Sequence, residues 1–244
     1  MWAVFVATPH ELGRFARSDV LVVETGIGRA AAEEAARAVL GRRRVDGVLS
    51  VGFCGGLVPG LSTGDVVLGE RVYRLPVPLL EAHQPLEAAA SDPGLVALAE
   101  EALTAARLRY RRGACVTSPV LVPGPDRKRE LGQQFPALAV EMESFWLAQA
   151  ARDAGASFLT VRAILDGVDE ALPPADVLAE FRSLAGPSSL LRTGIVLGVR
   201  YLTRHPSQIA RLAAQAAKAR GALRAFARAF FARAGAGSVC SSAH

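Results

Sequence analysis

The chain has 244 residues, of which 51% are apolar and 21% charged, and this balance excludes an intrinsically disordered protein. That length suffices for one α/β domain with a large core. The formal net charge is +5, but ten of the 28 Lys and Arg residues and none of the 23 Asp and Glu residues lie in residues 181–244. The body is therefore acidic and the tail strongly basic, which favours an acidic partner for the tail.

Three widely separated cysteines, Cys54, Cys115 and Cys240, form neither a disulfide framework nor a zinc motif. Residues 1–7 lack the basic segment and the long apolar run of a secretory signal peptide. No uninterrupted apolar run reaches the roughly 20 residues that cross a bilayer. We therefore expect a cytoplasmic protein with reduced thiols. The histidines have no ligand spacing, so we expect no metal.

Short β-branched apolar runs alternate with segments of helical periodicity in the body of the chain. In chain order we predict strands over 4–7 and 20–24, a helix over 29–40, strands over 47–51 and 65–68, a helix over 93–106, a strand over 112–117, a helix over 127–135, a strand over 137–140, a helix over 143–154 and a strand over 158–164. This alternation predicts an α/β fold with a central mixed sheet flanked by helices.

Residues 172–187 contain proline breakers and are predicted to form a loop, after which the pattern becomes helical. The apolar residues that recur there at spacings of three and four are Ile209, Leu212, Ala216, Ala219, Leu223, Phe226 and Phe230. They form one stripe, and the basic residues fall outside it. We predict a main domain over 1–186 and a basic amphipathic helical extension over 187–244. The extension can pack on the domain or bind an anionic surface at the inner membrane face.

Acidic residues cluster at the ends of two predicted strands. The stretch AVEMES places Glu141 and Glu143 at the start of a helix, and the stretch VRAILD ends on Asp166. A carboxylate such as Glu143 can accept hydrogen bonds from both vicinal hydroxyls of a ribose, over the apolar surface of Met142. The two glutamates would equally suit the first turn of a helix, whose dipole favours negative charge. Asp166 could likewise be a helix N-cap or a loop residue.

Glu-Met-Glu follows a predicted strand, and Arg-Ala-Ile-x-Asp comes about one βα unit later. This order resembles the purine nucleoside phosphorylase and nucleosidase superfamily, and in particular its methylthioadenosine/adenosylhomocysteine nucleosidase branch. The resemblance covers about residues 1–170. It implies an enzyme with the three-layer nucleoside phosphorylase-type fold and a homo-oligomeric assembly. It also implies that Asp166 protonates N7 of the leaving adenine, that Glu143 and Met142, beside Glu141, hold the ribose, and that Glu11 directs the attacking water. Without the resemblance, Glu11 would be interpreted as an exposed turn residue.

Two glycine-rich segments follow predicted strands: TGIG at residues 25–28 and GFCGG at residues 52–56. Neither matches a Walker loop or G-x-G-x-x-G, so we expect no ATP, no NAD and no other cofactor. In the similar family the second segment borders the base and the ribose. The resemblance therefore implies that Phe53, Cys54 and Gly55 bind substrate. Leu121 and Val122 occupy the position where the family clamps the purine, with Leu121 as an apolar wall in place of an aromatic ring.

The sequence departs from the family at Leu165, where a small hydroxyl residue usually helps to orient the following acid. The tail is similar to the longer hopanoid-associated branch, whose members are thought to remove adenine from adenosylhopane. We therefore predict cleavage of the N-glycosidic bond of an adenine nucleoside that carries a bulky or apolar 5′ group. Phosphorolysis, a conventional methylthioadenosine/adenosylhomocysteine nucleosidase and a non-catalytic nucleoside-binding protein stay open as alternatives. Nucleic acid is not expected as a partner.

Overall fold

A computed structural model describes residues 1–76, 87–173 and 206–240. The predicted domain boundary at 186/187 and most of the predicted loop 172–187 lie outside these ranges. The strands are β1 (Trp2–Val6), β2 (Val20–Glu24), β3 (Gly47–Gly56), β4 (Val66–Arg74), β5 (Ala88–Ala90), β6 (Tyr110–Thr117), β7 (Ala137–Glu141) and β8 (Ser157–Asp166). The helices are α1 (Pro9–Leu12), α2 (Arg29–Leu40), α3 (Pro93–Ala105), α4 (Pro125–Gln134), α5 (Ser144–Asp153) and α6 (Pro206–Cys240).

Residues at the helix N-termini explain where several helices begin. Helices α1, α3 and α4 each have a proline in the first turn, where a missing N–H costs no helical hydrogen bond. Asp92 caps α3, and its Oδ1 accepts a hydrogen bond from Leu95 N at 3.0 Å. Gly28 precedes α2 with φ +86°, a backbone conformation that favours glycine.

The strands form one mixed sheet that closes on itself. Strand β3 pairs in parallel with β1 and β8, β8 is antiparallel to β4, and β4 continues in parallel through β6 to β7. Strand β7 then returns to β3 in antiparallel pairing, with Gly55 opposite Val140. One core cluster packs α2 and α5 against the sheet, and another packs α3 and α6. The predicted α/β fold with a mixed sheet flanked by helices is confirmed.

Several strands differ in length from the sequence prediction. Strand β3 does not stop at residue 51 but continues to Gly56, because its glycine-rich end pairs with both β8 and β7. Strand β8 likewise extends through Asp166. The single turn α1 and the three-alanine strand β5 were not predicted, since neither is long enough to show a period in the sequence.

The apolar stripe of α6 packs against the rest of the chain. Six of its seven predicted members are buried, and four of them, Ala219, Leu223, Phe226 and Phe230, share a core cluster with residues of α3, β1, β3, β4 and β8. The ring of Phe230 meets that of Trp2 edge to face, with centroids 5.7 Å apart. Basic residues such as Arg228 stay exposed on the outer face. Within the described ranges, no helix is both long and apolar enough to cross a membrane.

Candidate active site

A cavity of about 620 Å³ lies where β1, β3, β7 and β8 end. Three acidic residues that are distant in sequence line it together: Glu11 from α1, Glu143 from the β7–α5 junction and Asp166 from the end of β8. All three side chains are buried. This is the carboxyl edge of parallel strands, where open α/β sheets bind their ligands.

The two glutamates of the Glu-Met-Glu motif have different partners. Glu141 ends β7, and its Oε2 accepts hydrogen bonds from the backbone N–H groups of Glu143 and Ser144 at 3.0 and 2.8 Å. These are donors at the start of α5 that have no helical partner, so the helix-terminus alternative describes Glu141 well. Oε1 of Glu143 instead accepts from the backbone N–H of Gly28 at 2.9 Å, at the edge of the cavity.

A buried guanidinium holds this acidic group together. Nη2 of Arg162 donates to Oε2 of Glu141 at 2.6 Å and to the hydroxyl of Ser50 at 2.7 Å. Nη1 lies 3.8 Å from Oε2 of Glu143. Arg162 is part of the Arg-Ala-Ile-x-Asp motif, but no role was predicted for it from the sequence. The available signal was a single basic residue inside an otherwise apolar strand, because a buried charge needs partners.

Glu11 is buried rather than exposed, so the alternative of a surface turn residue is wrong. Its two carboxylate oxygens accept hydrogen bonds from the backbone N–H groups of Phe53 and Thr8, each at 3.0 Å. Burial raises the pKa of Glu11, although the nearby charge of Arg162 and these hydrogen bonds oppose the shift.

Burial also raises the pKa values of the other two acids. The pKa of Glu143 rises to about 7, because desolvation and the charges of Glu141 and Glu11 together outweigh the attraction of Arg162. The pKa of Asp166 rises to about 6, chiefly by desolvation, against the opposing charge of Lys128. A carboxyl group with such a pKa can carry a proton close to neutral pH.

Asp166 ends a strand and begins no helix in the described residues, so it is not a helix N-cap there. Its Oδ2 forms a buried ion pair with Nζ of Lys128, which lies on α4. Lys128 was not predicted as a site residue. The two partners are 38 positions apart in the sequence, so no local spacing could have indicated the pair.

The sequence of the chain matches a known protein family. The family model of the phosphorylase superfamily matches residues 5–185. The chain belongs to the phosphorylase superfamily. The predicted resemblance and the prediction of an enzyme of the nucleosidase or nucleoside phosphorylase kind are thereby confirmed.

Several solved structures share this fold. One is 5′-methylthioadenosine/S-adenosylhomocysteine nucleosidase from Neisseria meningitidis in complex with methylthio-immucillin-A, at 22% identity and a TM-score of 0.67, over 93% of this chain and 97% of that one. Futalosine hydrolase of Helicobacter pylori matches over the same shares at 19% identity and 0.67. S-adenosylhomocysteine nucleosidase from Streptococcus pyogenes matches at 24% identity and 0.62, over 75% and 89%.

The remaining predicted substrate residues of this phosphorylase superfamily member also line the cavity; they are Phe53, Cys54, Gly55, Leu121, Val122 and Met142. Burial raises the pKa of the Cys54 thiol well above its usual value, so it stays neutral. Leu121 is 41% exposed and leaves an apolar edge at the rim. The apolar lining residues that were not predicted from the sequence include Leu172, Leu212 and Ala216. Across the described ranges no cluster of three potential metal ligands is present.

Proposed function

We propose that this phosphorylase superfamily member hydrolyses the N-glycosidic bond of a 5′-substituted adenine nucleoside. The observation that carries the proposal is the convergence of Glu11, Glu143 and Asp166 on one cavity with pKa values raised by burial. Similar solved structures include nucleosidases bound to adenosine-like inhibitors and a futalosine hydrolase. A non-catalytic nucleoside-binding protein would not require three buried acids around one ligand, since each costs free energy to desolvate.

Glu143 is the proposed ribose ligand. Its Oε1 is held by the Gly28 N–H, and its Oε2 lies 3.8 Å from Arg162, so the carboxylate is oriented before substrate binds. Hydrogen bonds from the ribose hydroxyls strengthen as the sugar becomes an oxocarbenium-like cation. Met142 supplies an apolar surface beside it in the same cavity.

Asp166 and Glu11 are the proposed acid and base. Asp166 transfers its proton to N7 of adenine while the C1′–N9 bond breaks and its electron pair moves onto the base. A water oxygen bonds to C1′ from the opposite face, and Glu11 accepts one proton of that water. The products are adenine and the 5′-substituted ribose. Solvent then takes the proton from Glu11 and returns one to Asp166.

Phosphorolysis by the same site is the second candidate, and the charges around the cavity disfavour it. Arg29 is a cavity-lining cation that could meet a phosphate, but it already pairs with Glu33 at 2.9 Å and stacks over Trp146 at 4.1 Å. The buried cation Arg162 is already surrounded by Glu141, Glu143 and Glu11. An anion entering this group would meet mostly negative charge, which supports water as the nucleophile.

The apolar rim of the cavity supports a substrate with an apolar 5′ group. Leu121, Leu172, Leu212 and Ala216 are apolar residues of the cavity lining, and the last two come from α6. Because apolar surface favours an apolar ligand, a bulky hydrocarbon such as that of adenosylhopane is a candidate, beside the smaller thioether nucleosides.

The test is an adenine-release assay on adenosine, methylthioadenosine, S-adenosylhomocysteine and a long-chain 5′-alkyl adenosine, each with and without phosphate. We expect phosphate-independent release, a free ribose product and higher kcat/KM for the apolar 5′ groups. Asp166→Asn should lower kcat by about 10³-fold. The matched control is Asp169→Asn, since Asp169 is 68% exposed and pairs with Arg129 at the surface. Strict phosphate dependence, or an active Asp166→Asn enzyme, would contradict the proposal.

A location at an anionic membrane surface is a further part of this proposal. Its support is the charge of α6, on which Lys218 and Arg228 are exposed. The full-length protein should co-sediment with phosphatidylglycerol vesicles and not with phosphatidylcholine vesicles, and Lys218→Glu/Arg228→Glu should weaken that binding. Equal binding by the wild-type protein and the double variant would refute the membrane role.

The homo-oligomer stays a prediction, and light scattering checks it by measuring the molar mass in solution.

A further inference from the structure

We infer that Lys128 is a positioning residue for Asp166: it anchors one carboxylate oxygen and offsets the negative charge that appears when Asp166 gives up its proton. The inference rests on the proposed function, in which Asp166 is the general acid. It adds a residue on α4, which does not line the cavity, to the group that sets up proton transfer.

The three donors of the Lys128 ammonium all have partners. Nζ is paired with Oδ2 of Asp166 and donates to the backbone carbonyls of Gly167 at 3.0 Å and Glu170 at 2.6 Å. A lysine has three N–H donors and no acceptor, so this set satisfies it completely. The side chain is fully buried. Its place is therefore determined by Asp166 and by the turn that follows Asp166.

The composition of the chain gives a second, independent reason to single out this residue. Of the 28 Lys and Arg residues only Lys128 and Lys218 are lysines, and Lys218 is exposed on α6. At the buried position beside Asp166, this arginine-rich chain therefore has the compact ammonium of a lysine. Arginine presents a planar fork of five donors, whereas this pocket offers three acceptors around one nitrogen.

Lys128 also supplies a hydrogen bond that can orient Asp166, which the residue before Asp166 cannot supply. Residue 165 is Leu165, whose side chain cannot donate a hydrogen bond, and it faces the cavity. Among the described residues, Lys128 is the side chain that donates to Asp166. Because Oδ2 of Asp166 is anchored on the α4 side, Oδ1 is left to contact the adenine of the substrate. This geometry separates the anchoring oxygen of Asp166 from the reacting one.

The turn behind the ion pair is tied to the C-terminal helix. The Glu170 carboxylate accepts hydrogen bonds from the Gly167 N–H at 2.9 Å, from Nη2 of Arg211 at 2.8 Å and from Nε2 of Gln215 at 3.3 Å. The carbonyl of the same Glu170 receives Lys128. Helix α6 therefore supports the turn that carries two of the three acceptors of Lys128.

The proton step explains why a cation is useful there. The neutral Asp166 carboxyl gives its proton to N7 and becomes a carboxylate in a desolvated site. The ion pair with Lys128 stabilises the new negative charge. Removing the cation should therefore make Asp166 a weaker acid and raise the pH at which it loses its proton.

The first experiment compares two substrates. Lys128→Met and Lys128→Gln should lower kcat for adenine nucleosides by about 10- to 100-fold. They should change turnover of 4-nitrophenyl riboside by less than about threefold, since that leaving group needs no proton. The basic limb of the pH profile should move up by about 1 pH unit. Lys218→Met is the control and should match the wild-type enzyme. Equal losses on both substrates, or unchanged profiles, would overturn the inference.

The second experiment needs no variant at position 128. Labelling lysine Cε with ¹³C gives one signal from each of the two lysines, and Lys218→Met assigns them. The Lys128 signal should shift as Asp166 titrates near pH 6 and should lose that shift in Asp166→Asn. An insensitive signal overturns the inference. If Asp166→Asn keeps releasing adenine, the proposed acid has failed instead.

Discussion

Nη2 of Arg162 donates to Oε2 of Glu141 across 2.6 Å, and both side chains are almost completely buried. The same oxygen of Glu141 receives two backbone N–H groups at the start of α5. Both glutamates line the cavity, but both carboxylate oxygens of Glu141 already accept protein donors. Glu143, two residues later, accepts the Gly28 N–H at Oε1 and has Arg162 3.8 Å from Oε2. The two acids of one motif therefore differ in how far the fold already occupies them.

Glu141→Gln should lower the free energy of unfolding by about 3 kcal/mol, because it leaves the buried Arg162 charge without its main partner. Urea denaturation measures this. The control is Glu130→Gln, which breaks a solvent-exposed pair with Arg127 and should cost about 1 kcal/mol or less. Similar losses in both variants would show that the Arg162–Glu141 pair has no special weight.

The free energy of unfolding should fall as pH rises from 5 to 8. Glu11, Glu143 and Asp166 have raised pKa values in the folded state, the last two at about 7 and about 6, so the folded protein binds more protons than the unfolded chain. Their contribution to stability is complete below the unfolded pKa values, near 4, and is lost as pH rises through the folded ones. Glu143→Gln should show a smaller fall in urea titrations at pH 5 and 8; an equal or steeper fall would contradict the assignment.

Gly52→Ala should damage the site more than the fold. A Cβ at Gly52 would overlap Nη1 of Arg162 and lie 2.7 Å from Oε1 of Glu11. Displacing both groups should lower kcat/KM by about 100-fold, with a stability loss of about 1–3 kcal/mol. The control is Gly221→Ala on α6, where a Cβ meets open space. It should keep full activity and gain up to about 1 kcal/mol; a fully active Gly52→Ala enzyme would show that the site tolerates the displacement.

Phe230→Ala should lower the free energy of unfolding by about 3–5 kcal/mol, since this fully buried ring contacts the rings of Trp2, Phe226 and Phe231. Arg228→Ala, at an exposed position two residues earlier, should change it by less than about 0.5 kcal/mol. Thermal and urea unfolding measure both. A small effect of Phe230→Ala would mean that α6 contributes little to the folded domain in solution.

Local patterns were sufficient to predict much of this fold. The spacing of apolar residues, with a period of two in strands and 3.6 in helices, predicted the alternation of strands and helices. The Glu-Met-Glu and Arg-Ala-Ile-x-Asp motifs lay at strand ends, where site residues are expected. The ends of β3 and β8 were placed too early because glycines and a charged residue interrupt the apolar pattern, while pairing with neighbouring strands continues. Helix α1 is only one turn long, and its sequence has no period to detect.

The sequence by itself determined the order of elements, the acidic residues and the amphipathic stripe of α6, because these depend on neighbours within a few positions. Only the tertiary structure decided that the start of α5 and Arg162 occupy Glu141, that Arg162 lies among the acids and that Lys128 meets Asp166. Burial and charge pairing join residues that are tens of positions apart, and such contacts leave no local period along the chain.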